Sequence, residues 1–110
     1  MNLAHPNTDQ IEIANVLTAL GDPTRLAIAA ELARIGDGPV NCGHFIDLCS
    51  SKTNLSYHLA KLREAGVTRT EICGTSRFTT LRRADLDSRF PGLLDSVLSA
   101  VTDAPVPQSA

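Results

Sequence analysis

Lys52, Thr53, Asn54, Ser56, Tyr57 and Lys61 stand within ten residues of one another, and Arg77 follows in the next segment. Their chemistry suits a polyanion with readable edges. The Asn54 amide can pair bidentately with adenine, and the small hydroxyls of Thr53 and Ser56 can bond other base edges. Tyr57 can touch a phosphate or a thymine methyl, while Lys52 and Lys61 can neutralise phosphates. Arg77 suits either a phosphate or a minor groove. The charge distribution points the same way. From Ser51 to Arg83 there are seven basic residues against two acidic ones, net +5, whereas the remainder carries three against ten, net −7. The overall −2 hides this segregation.

Each of these residues also has a plainer reading. The polar positions fit the solvated side of an amphipathic helix, and Arg69 and Arg77 fit an edge strand blunted by charge. His58 falls near an apolar stripe and reads as a structural histidine or a phosphate anchor. Arg82 and Arg83 read as structural or peripheral.

The elements that must position these groups follow from punctuation and periodicity. Residues 1–8 read as a flexible lead-in, 9–102 as one domain and 103–110 as a flexible tail. Thr8 or Asp9 can cap a first helix reaching Leu20, with Ile13, Val16, Leu17 and Leu20 at helical spacing. Gly21 stops it, and Asp22-Pro23 starts a second helix that runs to Ile35. A short third helix is expected over Cys42–Leu48 with Asn41 as its cap. Ser51 caps a fourth, in which Leu55, Leu59 and Leu62 make a buried stripe and Gly66 is the stop. Two strands follow, Val67–Cys73 and Arg77–Arg82, around a Gly74-Thr75-Ser76 loop that sets Ile72 opposite Phe78. Pro91 opens a last helix with Leu93, Leu94, Val97, Leu98 and Val101 on one side. The predicted order is ααααββα, a mainly helical α+β fold of the winged helix-turn-helix type. Its reading helix spans about 51–65 and its β-wing about 67–82.

Size and composition exclude several classes. A chain of 110 residues with 43% hydrophobic content makes one small folded domain. No apolar run approaches the ~20 residues of a membrane helix. The first ten residues lack the pattern of a secretory signal, and three cysteines make an odd set for a disulfide framework, so the expectation is a cytoplasmic protein. No nucleophile elbow, Ser-x-x-Lys or Cys-x-x-Cys motif is present, which argues against an enzyme.

Two motifs carry a family likeness. Leu20-Gly21-Asp22-Pro23-Thr24-Arg25-Leu26 resembles the L-x-D-x-x-R signature of ArsR/SmtB regulators, and Ser51–His58 with Leu59-Ala60-Lys61-Leu62-Arg63-Glu64-Ala65-Gly66 resembles their recognition helix and its exit. The likeness spans nearly the whole chain in the right order. It implies a homodimeric, sequence-specific repressor of double-stranded DNA, with terminal helices paired across a two-fold axis and a pseudo-palindromic operator. It also implies release by a metal, a thiol modification or another signal. The usual ligands for such a metal are incomplete. Where soft-metal sensors carry Cys-x-Cys, this chain has Val40-Asn41-Cys42, and its last helix holds Asp95 but no histidine. No metal site and no cofactor are therefore assigned. A thiol-redox or metal-responsive variant using Cys42 and Cys49, with His44 between them, stays open beside inert cysteines. A winged-helix module that binds protein instead of DNA is the remaining alternative.

Overall fold

The computed structural model describes residues 3–36 and 38–103, with no side-chain account of Thr102 and Asp103. Five helices, α1 (Ile13–Leu20), α2 (Pro23–Ile35), α3 (Lys52–Ala65), α4 (Arg83–Arg89) and α5 (Leu93–Asp103), surround a small antiparallel sheet. Its strands, β1 (Val40–Asn41), β2 (Thr68–Cys73) and β3 (Ser76–Leu81), lie in the order β1-β3-β2. Two 3-10 segments, Thr8–Gln10 and Cys42–Leu48, complete the elements among the described residues. The core gathers Ile11, Val16 and Leu20 with Ile28 and Leu32 of α2, Phe45, the α3 leucines, Val67, Leu86, Leu94 and Leu98. None of the described helices is long and apolar enough to cross a membrane.

The caps behave as their chemistry requires. The Asp22 carboxylate accepts from Arg25 N at 3.0 Å at the start of α2, with Pro23 in the first helical position. Ser51 Oγ accepts from Asn54 N at 3.0 Å at the start of α3. Gly66 ends α3 with φ 87°, and a Cβ there would lie 2.6 Å from Ile11 Cγ1. Glycine is thus required twice at this position, for the left-handed backbone and for the close approach of Ile11.

Several expectations need correcting. The first helix begins at Ile13, not Thr8 or Asp9. Asn7 N donates to Gln10 Oε1, closing a 3-10 turn, and Ile11 is extended so that its side chain can bury beneath Gly66. Cys42–Leu48 is 3-10 rather than α, though Asn41 does cap it, accepting from Gly43 N at 2.9 Å. The last helix starts at Leu93, because Gly92 has φ 83° and cannot continue a helix from Pro91. The hairpin loop has two residues: Cys73 pairs with Ser76, Ile72 with Arg77 and Glu71 with Phe78. Gly74 at φ 63° in the first loop position, with no positive φ at Thr75, is the type II′ pattern that favours this tighter loop. β1 and α4 were not foreseen.

The expected lead-in runs along the base of the wing. Ala4 O accepts from Arg63 Nε at 3.2 Å, His5 Nε2 accepts from Thr70 N at 3.0 Å, and Pro6 O accepts from Arg82 Nη1 at 2.8 Å. Thr8 Oγ1 then donates to Asp85 at 2.8 Å, and Ile11 O accepts from Arg89. The expected tail beyond Asp103 lies outside the described residues.

Candidate nucleic-acid interface

α3 has two faces of opposite character. Leu55, His58, Leu59, Leu62 and Ala65 are buried, while Lys52, Thr53, Ser56, Tyr57 and Lys61 are exposed. Tyr57 on this face is 53% exposed, an open position for an aromatic side chain. Lys61 Nζ lies 5.5 Å from the Tyr57 ring centre and 4.0 Å from Glu64, so the lysine is loosely held on its own helix. Asn54 is half-buried, and its Oδ1 accepts from Ser50 N at 3.3 Å. Its carbonyl oxygen is thereby committed to the helix start, which leaves the amide NH₂ as its freer group.

The cations of the segment separate into two sets. Arg82 has only 3% of its side chain exposed and donates to Asp85 at 2.9 Å as well as to Pro6 O. Arg83 binds Asp95 at 2.8 Å, and Arg63 holds Ala4 O. Lys52, Arg69 and Arg77 are exposed, and none has a carboxylate within ion-pair distance among the described residues. Strand alternation puts Arg77 on the face of β3 that also carries buried Thr79. That face turns toward the 3-10 segment, where the guanidinium is near enough to Cys42 to oppose part of the effect of burial on the thiol.

The other polar groups singled out by sequence do not converge. Cys42 is buried, Cys49 half-buried and Cys73 exposed, all as free thiols. Burial pushes the Cys42 thiol up, and burial with the nearby Asp22 carboxylate does the same for Cys49. Both therefore favour the protonated, less nucleophilic form. His44 points elsewhere, with Nε2 2.9 Å from Glu31 Oε2. Hydrogen bonds from Arg34 and His44 hold the Glu31 carboxyl down to about 2. Among the described residues no three His, Cys, Asp or Glu side chains cluster as a metal site. His58 is buried, as its position near the leucine stripe suggested, and faces Arg25. Arg25 is the contributor that sequence reading noted only as a motif residue. It lies in α2, far from the basic segment in the chain, and its arrival at His58 had no local signal.

Comparison with known proteins agrees with this geometry. A family described as a helix-turn-helix domain matches residues 20–71, from the end of α1 through most of β2. The chain is 37% identical over 90 residues to YceK of Bacillus subtilis (strain 168), an uncharacterized HTH-type transcriptional regulator, covering 81% of this chain and 88% of that one. Among solved structures, the transcriptional repressor BigR from Xylella fastidiosa superposes with a TM-score of 0.61 at 25% identity, over 82% of this chain and 83% of that one. An ArsR family transcriptional regulator shares the fold at a TM-score of 0.62 and 20% identity, over 84% of this chain and 98% of that one. All three of these proteins are named as transcriptional regulators or repressors. With its winged helix-turn-helix and a relative 37% identical over most of both chains, the chain belongs to the HTH-type transcriptional regulators, and it shares its fold with an ArsR family member.

Proposed function

We propose that this regulator is a cytoplasmic, homodimeric repressor that reads a pseudo-palindromic operator with α3 and clamps the flanking backbone with its wing. The observation that carries the reading is the division of its cations: Lys52, Arg69 and Arg77 are exposed with no carboxylate within ion-pair distance among the described residues, whereas Arg63, Arg82 and Arg83 already hold partners within the chain. Thr53, Ser56 and Tyr57 supply the groups for base edges, Asn54 adds its NH₂, and Lys52, Lys61 and Arg77 take phosphates. Dimerisation is supported by α1. Val16, Ala19 and Leu20 face the core, but Ile13 and Leu17, one turn apart, are 41% and 49% exposed. Such a pair costs solvation unless another surface covers it. A two-fold dimer then sets two reading helices about 34 Å apart, one turn of duplex.

The test is binding to a duplex selected by the protein from a randomised pool, compared with a scrambled duplex, across a salt series. Affinity is expected to fall steeply with salt for both, with a selective gap between them. Thr53→Ala is expected to narrow that gap, losing about 1–3 kcal/mol on the selected duplex only. Binding that ignores salt would overturn the electrostatic reading and favour a protein-binding role, and a monomeric mass with DNA bound would overturn the dimer.

A further inference from the structure

The buried side of α3 carries a polar contact that its leucine neighbours do not explain. Arg25, from α2, donates through Nε to Ala19 O at 2.7 Å and lies 3.5 Å through Nη2 from Thr18 O, both at the carboxyl end of α1. Its Nη1 sits 3.1 Å from Nδ1 of His58, which is itself 7% exposed. A guanidinium has donors and no acceptor, so His58 Nδ1 must offer a bare lone pair, and its proton must be on Nε2. One side chain therefore joins the ends of α1 and α2 to the middle of the reading helix, and it does so only while the imidazole is neutral.

We propose that His58 is a positioning residue for DNA reading: its neutral imidazole accepts Arg25 and so fixes α3 against α1, and its protonation releases that tie. This rests on the DNA-reading role proposed above. Protonation consumes the lone pair and brings two cations together at a buried site. The Asp22 carboxylate, 3.8 Å from the same nitrogen, is positioned to draw the charged ring away from Arg25. The other groups nearby do not replace the tie. Tyr57 meets the His58 ring edge from the same helix, and Lys61 is drawn to Tyr57 and Glu64. From the 3-10 segment, Cys49 lies near enough to Asp22 to feel its charge. α1 has no charged side chain and brings only its carbonyl oxygens.

The sign of the effect separates this tie from general electrostatics. Acid adds positive charge to any protein, and by itself that strengthens binding to any duplex. Loss of the tie instead weakens recognition of the selected sequence. The experiment uses the full chain, with fluorescence anisotropy on the selected and scrambled duplexes at pH 7.5 and 5.5 and constant ionic strength. Thermal melts are recorded at both pH values. For the wild-type chain, affinity for the selected duplex is expected to drop about tenfold in acid while the scrambled duplex does not weaken. His58→Asn keeps an oxygen where Nδ1 stood but does not titrate. It is expected to retain most of the affinity lost by His58→Leu at pH 7.5 and to show no acid loss. An equal acid loss in His58→Asn, or tighter wild-type binding to the selected duplex in acid, overturns the positioning role and leaves DNA reading intact. Absence of duplex binding at pH 7.5 overturns both. If His58→Leu fails to fold, the pH profile of His58→Asn decides the matter alone.

Discussion

The two ends of the wing use arginine in opposite ways. At its base, Arg82 is buried, gripping Asp85 and the Pro6 carbonyl. At its tip, five residues away, Arg77 is exposed with no carboxylate partner among the described residues. A guanidinium with all its directions filled is structure, and one left open is a surface waiting for an anion. The difference teaches that the segment's net charge overstates its binding charge, since several of its cations are already spent.

The comparison can be broken most directly at the base. Arg82→Ala strands Pro6 O and leaves Asp85 with only its bond from Thr8, and is expected to cost about 2–3 kcal/mol of unfolding free energy in urea titration, lowering affinity for every duplex only as far as the folded fraction falls. A fully stable Arg82→Ala protein with weak DNA binding would reverse the assignment of base and tip. Gly66→Ala attacks the same base from α3. It forces a side chain into left-handed backbone and against Ile11, so a loss of about 2 kcal/mol or more is expected in thermal or urea unfolding. At the tip, Arg77→Ala is expected to leave the melting temperature unchanged while costing about 1 kcal/mol on all duplexes and reducing the salt slope by about one. A large drop in melting temperature would show that Arg77, too, is structural.

The smallest effect concerns Glu31 of α2, which pairs with Arg34 of the same helix and joins the 3-10 segment through His44. Its carboxyl is held below the ordinary value, so the stabilisation is complete above the unfolded carboxyl range and is lost as pH falls toward about 2. Glu31→Gln is expected to lower stability by less than about 1 kcal/mol at pH 7 and to have no further effect at pH 2. A gap between variant and wild type that persists at pH 2 would assign the difference to something other than charge.

Local chemistry made much of this legible in the sequence. The caps at Asp22 and Ser51 and the stop at Gly66 act within three or four residues, and the structure keeps all three. The wing register was not legible, because its inward row is Thr68, Thr70 and Thr79 rather than an apolar alternation. Pairing Ile72 with Phe78 followed from counting Ser76 into the loop, and the apolar match of the two side chains gave no warning against it. β1 spans two residues and α4 seven, with Leu86 as the single buried side chain of α4, so neither had a period to detect. The free and spent arginines are identical letters, and only tertiary contacts distinguish them.

The segment that runs along the wing base also sets an order of assembly. Its bonds from Ala4, His5, Pro6, Thr8 and Ile11 reach partners 59, 65, 76, 77 and 78 residues further on. Residues 4–11 thus cannot find their places until residues 63–89 have followed them out of a ribosome. A nascent chain can wind α2 and α3 early, but the segment before α1 must wait for Arg89 to emerge before its last bond is fastened.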